Sequence, residues 1–128
     1  MNEILFTSDI DILLSGSTCN IVFVVKDRVY VANVGDSRAV LYKESTGHHS
    51  IPVPVSEDHK PCLEWERWRI LEAGGRIQSF KTESGEFKGP LWVWLNDRDM
   101  PGLAMTWSMA DSCGSAAGII GIPDIIEF

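Results

Sequence analysis

The sequence predicts an α+β domain in which antiparallel strands and helices form layers, and three observations predict it. Residues 20–42 hold three strand-type runs separated by turn residues. Residues 60–73 then change to a helical rhythm closed by Gly74-Gly75, and extended runs return at 76–80 and 91–95. Strands, then a helix, then strands again depart from the regular alternation that builds a parallel sheet. With 128 residues and 45% apolar composition, there is room for one domain with a usable core and not for two.

The elements follow in order. Met1 to Leu14 mixes Ile, Leu and Phe with Asp9 and Asp11, without a helical stripe, and its role stays open. After Ser15-Gly16-Ser17-Thr18, the run Asn20-Ile21-Val22-Phe23-Val24-Val25 is dense in β-branched and aromatic side chains, the composition of a strand buried on both faces. Lys26-Asp27-Arg28 reads as a turn. Val29 to Val34 is a second strand, Gly35-Asp36 a hairpin turn, and Ser37 to Tyr42 a third strand, which together predict a β-meander. Residues 43–49 read as an exposed connection. Pro52 and Pro54 each delete a sheet donor, so 51–55 belongs at an edge or outside the sheet.

Pro61 suits a helix's first turn, Glu64 and Glu66 put negative charge at its positive end, and Gly74 can take the left-handed conformation that stops it. Within it Trp65, Trp68, Arg69 and Glu72 recur at spacings of three and four, so one side with two large rings is expected against a sheet. Burial of one such ring contributes roughly 1.5–3 kcal/mol. Arg76–Phe80 and Leu91–Leu95 read as extended segments flanking a polar loop. Gly102 to Asp111, after Pro101, reads as a short helix with Leu103, Met105 and Met109 on one side. Ile119 to Ile122 reads as a last strand, stopped by Pro123.

The net charge of −7, with 11 Lys plus Arg that do not cluster, disfavours nucleic acid or an anionic membrane as partner. No run approaches a membrane span, and no secretory signal is visible at the start. Cys19, Cys62 and Cys113 are widely spaced without a paired-Cys motif, which points to a reducing, intracellular compartment, cytoplasm or nucleus. Cys19 borders an apolar strand, so burial explains it better than a nucleophilic role. His48 and His49 lack partners at zinc spacing. Trp92, Trp94 and Trp107 read as parts of an interrupted core, or else as an aromatic binding patch.

Read together, Gly16-Ser17-Thr18, Gly35-Asp36-Ser37-Arg38, Asp58-His59-Lys60-Pro61, Glu66-x-x-Arg69-Ile70, Ala73-Gly74-Gly75 and Pro101-Gly102-Leu103-Ala104-Met105-Thr106 form an ordered series. In that order and spacing the chain resembles the central part of a metal-dependent protein serine/threonine phosphatase of type 2C, the PPM family. The resemblance covers about residues 15–126, so residues 1–128 are read as one partial domain of that kind.

The resemblance implies a layered α-β-β-α sandwich of antiparallel sheets, here incomplete, and hydrolysis of phosphoserine and phosphothreonine in a phosphoprotein substrate. It also implies two Mg or Mn ions that bind phosphate and activate a bridging water. The family's principal metal carboxylates lie in an Asp-Gly-His-Gly-Gly motif and two later acidic motifs, and these do not occur in this sequence. The chain alone is therefore expected to be inactive, with no catalytic or cofactor-binding residue assigned. Asp36 matches an acid that in some members joins a peripheral third metal site; read by itself it is a turn residue. Arg38 is expected to pair at the surface or to orient Asp36. His59, an imidazole able to shuttle protons, is expected to be structural, and Asp111 a structural or supporting acid.

Three departures stand out: Trp92 and Trp107 replace arginines of the family pattern, and Ala110 replaces a glycine. An indole has one donor where a guanidinium has five, so a buried carboxylate partner is at risk of being left unpaired. The alternative reading is a catalytically dead, phosphatase-like module that binds a protein or forms a homodimer. A third expectation is that the piece folds poorly because its sheet edges are unpaired.

Overall fold

In the computed structural model the described residues are 7, 9–44 and 50–128. The connection that includes His48 and His49, and most of the first eight residues, lie outside them. The centre of the first sheet is a hairpin of β2 (Cys19–Val25) and β3 (Arg28–Val34), paired from Val25↔Arg28 to Cys19↔Val34. Its two-residue turn places Lys26 at φ 55, the left-handed conformation that lets such a turn follow the twist of the strands. The other side of β3 is taken by β10 (Asp124–Glu127), antiparallel from Asp124↔Asn33 to Glu127↔Tyr30.

The predicted meander is therefore corrected. The third run forms β4 (Val40–Glu44), which pairs with β5 (Ser50–Pro54) in a separate two-stranded ribbon, while β10 holds the place beside β3. Residues 35–39 turn the chain away: Asn33 donates its side-chain amide to the Gly35 and Glu57 carbonyls, and the Ala39 amide donates to the Ser56 hydroxyl. Pro52 and Pro54 sit in β5, where a two-stranded ribbon leaves room for missing donors. The expectation that 20–25 is buried on both faces is also overturned. Ile21 to Val25 are each between 40% and 64% exposed, because β2 is a sheet edge and has only β3 beside it.

Helix α1 (Glu64–Glu72) is shorter than the 60–73 span expected, begins at Leu63 without a side-chain cap, and ends where Gly74 adopts φ +85. It buries Glu66 and Ile70, one turn apart, and leaves Trp65 and Trp68 in solvent. The tryptophan face is thus the outer one. Ile70 packs with Val93, Ala117 and Ile119, with Ile77, Leu95 and Leu103 around them. Three of those seven come from the hairpin of β6 (Gly75–Lys81) and β7 (Phe87–Leu95), to which β8 (Pro101–Leu103) adds a third strand.

The helix expected over 102–111 does not form. Residues 101–103 are β8, residues 109–110 are β9 (Met109–Ala110), and β9 pairs with β1 (Gly16–Ser17). Ala110 and Asp111 take φ 68 and φ 43, which no right-handed helix accommodates. The short α2 (Ser112–Ser115) follows, and its first amides, on Ser112 and Cys113, donate to the carbonyls of Ile12 and Leu13. That contact gives the opening segment a role the sequence left open. The last expected strand is displaced: Ile120 makes only an isolated bridge to Trp107, and the strand itself starts after Pro123. The architecture is α+β, built from antiparallel sheets, and among the described residues no helix is long and apolar enough to cross a membrane.

Candidate functional site

The end of β3 carries Gly35-Asp36-Ser37 into a turn held from two sides. Gly35 has φ +93, and a β-carbon there would lie 2.5 Å from the Thr18 methyl, so the position suits glycine alone. The Thr18 and Ser37 hydroxyls are 2.8 Å apart. On the other side the Gly35 amide donates to Nδ1 of His59 at 3.0 Å, and the His59 amide donates back to the Gly35 carbonyl at 3.1 Å. Because Nδ1 accepts, the ring is neutral with its proton on Nε2. Burial pushes the His59 pKa down; the nearby Glu66 and Asp124 carboxylates pull it up, but burial wins.

Trp107 covers a face of that ring, stacked at a centroid distance of 3.9 Å and an interplanar angle of 10°. Its Nε1 donates to the Glu66 carboxylate at 2.9 and 3.0 Å to the two oxygens. Glu66 is 1% exposed and fully partnered: Arg69, one turn along α1, donates twice at 3.0 and 2.6 Å, and the Thr106 hydroxyl donates as well. Burial pushes the Glu66 carboxyl up, but the bonds from Arg69, Thr106 and Trp107 outweigh it and hold the acid below its usual range. The carboxylate that a tryptophan threatened to orphan is thus satisfied, with Arg69 supplying the charge and the indole the remaining donor. The sequence offered Glu66 as a first-turn charge, Arg69 as part of the tryptophan side, and the two together as a motif, but not as a buried pair; their spacing of three on a helix was the available signal.

The four residues singled out from sequence are not gathered into one cluster. Asp36 pairs with Lys60 Nζ, each side chain about a third exposed. Arg38 does not reach Asp36; it forms a two-pronged pair with Asp58 at 2.9 and 2.8 Å, which holds the Asp58 carboxyl below its usual range. Asp111 is 4% exposed, accepts the Ser108 hydroxyl, and sits so close to Gly16 that a β-carbon there would lie 2.0 Å from its Oδ2. Cys19, Cys62 and Cys113 are free thiols, Cys19 only half-buried. Trp92 and Trp94 stack in β7 with Phe80 against them, and the buried Trp92 Nε1 has no acceptor.

A divalent-metal centre does not fit these residues. A Mg or Mn site needs several oxygen ligands, whereas Asp36 has one carboxylate oxygen on the Lys60 ammonium. Among the described residues no three His, Cys, Asp or Glu side chains come together as a metal site.

Comparison with known proteins supplies the relationship. The family profile of Protein phosphatase 2C matches residues 3–126. Probable protein phosphatase 2C 73 of Arabidopsis thaliana is 36% identical over 118 residues, spanning 92% of this chain and 31% of that protein. Probable protein phosphatase 2C 48 of Oryza sativa subsp. japonica is 41% identical over 115 residues, spanning 85% of this chain and 31% of that protein. The crystal structure of serine-threonine phosphatase 2C from Toxoplasma gondii shares the fold at a TM-score of 0.73 and 21% identity, over 88% of this chain and 37% of that one. This chain therefore spans about a third of the length of these relatives. It belongs to the protein phosphatase 2C family.

Proposed function

We propose that residues 1–128 are a central portion of a protein serine/threonine phosphatase domain, and that they do not hydrolyse phosphoesters by themselves. In the longer polypeptide, further strands complete an α-β-β-α sandwich, and additional carboxylates hold the Mg or Mn ions that act on phosphoserine and phosphothreonine. The observation that carries the reading is the Asp36–Lys60 pair: the one family-matched metal acid is paired with an ammonium, and among the described residues no three His, Cys, Asp or Glu side chains come together as a metal site. Asp36 is then at most a peripheral ligand, with His59 holding the Gly35 backbone beside it and with Arg38 and Asp111 in structural roles through Asp58 and Ser108. Three free thiols fit an intracellular location.

The test is phosphate release from a phosphothreonine peptide with Mn or Mg, run on this chain and on the polypeptide from the full reading frame. The expected result is release by the long form and none by residues 1–128. Manganese-dependent turnover by the short chain, with contaminating enzymes excluded, overturns the first part; a correctly folded long form that releases nothing overturns the second.

A second reading is a catalytically dead module that binds protein. It is favoured by Trp107, which replaces a family arginine yet is built fully into the Glu66 and His59 contacts. An ordinary transcript ending after Phe128 supports it.

A further inference from the structure

Trp107 stands where the family pattern carries an arginine, and its indole is used twice. One edge donates Nε1–H to both oxygens of the buried Glu66, and a face lies on the His59 imidazole, with centroids 3.9 Å apart and planes within 10° of parallel. The Arg69 guanidinium sits over the same indole, 5.5 Å from its centroid. The main chain is tied at the same place: the Thr106 amide donates to the His59 carbonyl at 2.9 Å, and a β-carbon on Gly35 would lie 3.2 Å from the Trp107 carbonyl oxygen. Two neighbouring residues of this segment thus hold His59, one by its backbone and one by its ring.

His59 in turn holds more than one residue. Its ring accepts the Gly35 amide and its own amide returns a bond to the Gly35 carbonyl, while Lys60, next in sequence, pairs with Asp36, next after Gly35. Asp36 and its ammonium are therefore carried on two dipeptides that meet at the His59–Gly35 clasp. The clasp needs Nδ1 bare and the ring in one plane. Rotation about the Cβ–Cγ bond moves Nδ1 off the Gly35 amide and drives a ring edge into the indole, so the stack opposes it. A proton on Nδ1 turns the acceptor into a donor and leaves two N–H groups face to face. The charged groups facing the imidazole are Glu66 and Arg69 of α1, Asp124 at the head of β10, and Glu57. Of these Glu66 is the buried anion, and Trp107 Nε1 is one of the donors that occupy it.

We propose that Trp107 is a positioning residue for the Asp36 turn. The face of its indole fixes the plane of His59, and its Nε1 occupies the anion that would otherwise draw a proton onto that ring, so that Nδ1 stays an acceptor and Gly35-Asp36 leaves β3 in one conformation. An arginine in its place brings a second cation beside Arg69, which the single carboxylate of Glu66 then has to share. Every bond in this path is made within residues 35–107, without any further segment of chain. Its bearing on phosphate release rests on the function proposed above; the positioning itself does not, and is measured without catalysis.

Nitrogen NMR on the isotope-labelled chain reads this path directly. The wild type is expected to show one neutral His59 tautomer, with Nδ1 bare and Nε2 protonated, and a Gly35 amide protected from solvent exchange. Trp107→Leu removes both the stack and the donor. The His59 nitrogens are then expected to move to the averaged shifts of a ring without a fixed tautomer, and Gly35 exchange to quicken at least about tenfold, while the Val31 amide in the middle of β3 keeps its rate. Trp107→Phe keeps a ring face and drops the donor, and is expected to retain the tautomer and most of the protection. Retention of the tautomer and of slow Gly35 exchange in Trp107→Leu overturns the proposal, as does a loss that spreads equally to Val31, which marks packing alone. Loss of the tautomer in Trp107→Phe overturns the part assigned to stacking. In the polypeptide of the full reading frame, Trp107→Leu is expected to lower phosphate release at least about fivefold and Trp107→Phe less than about twofold; equal rates in all three forms overturn the link to function. A wild-type long form that releases nothing counts against the phosphatase reading, and the NMR result still decides the positioning.

Discussion

Glu66 and His59 are buried for different reasons and respond to acid in different windows. His59 is kept neutral by burial while the unfolded chain takes up a proton near pH 6.5, so stability falls as pH drops below about 6.5 towards the lower folded value. Glu66 is held ionised, so its contribution is complete above the ordinary value near 4.5 and is lost as pH falls through its lower folded pKa. Urea unfolding between pH 8 and pH 3 is expected to show both declines, and His59→Gln to remove the upper one. Ala110 offers a test with the opposite sign. It holds φ 68, where an alanine β-carbon is strained, so Ala110→Gly is expected to stabilise the chain by about 1 kcal/mol by thermal melting. The departure from glycine at this position was readable in the sequence; that the backbone keeps the glycine-type conformation was not, because a dihedral is set by the β1–β9 pairing around it.

At the scale of elements, α1 shows where pattern reading chose the wrong face. Two tryptophans dominated the count of apolar side chains, yet the buried side holds Ile70 and a carboxylate, which reads as polar until its partners are known. Trp65→Ala and Trp68→Ala are expected to change stability by less than about 0.5 kcal/mol, and Ile70→Ala, fully buried against Val93, by about 3 kcal/mol, all by chemical denaturation. The segment 101–111 failed for a related reason. Its spacing of Leu103, Met105 and Met109 was compatible with a helix, but β8 and β9 recruit the two ends of the segment to different sheets. By contrast the β2–β3 hairpin, the glycine stop at Gly74 and the edge position of Pro52 and Pro54 rest on local backbone chemistry, and all three appear where that chemistry places them.

For the whole molecule, the large exposed surface has a measurable consequence. The denaturant slope follows the area uncovered on unfolding, and a folded state that already exposes 8672 Å² uncovers less of it. The guanidinium m-value of the chain is expected to be about 15% below that of a compact domain of equal length. The chain by itself determined its family, because ordered short motifs are a property of residue identity and spacing, and it determined the hairpin and helix stop, because turns and caps are settled by neighbours in sequence. Tertiary structure alone decided which strand lies beside β3, that Glu66 has three donors, that Lys60 rather than Arg38 meets Asp36, and that β2 is left bare. Apart from the Arg69 donor to Glu66, three residues along the same helix, these depend on residues 20 or more positions apart, whose meeting is governed by packing and hydrogen-bond satisfaction that no local pattern encodes.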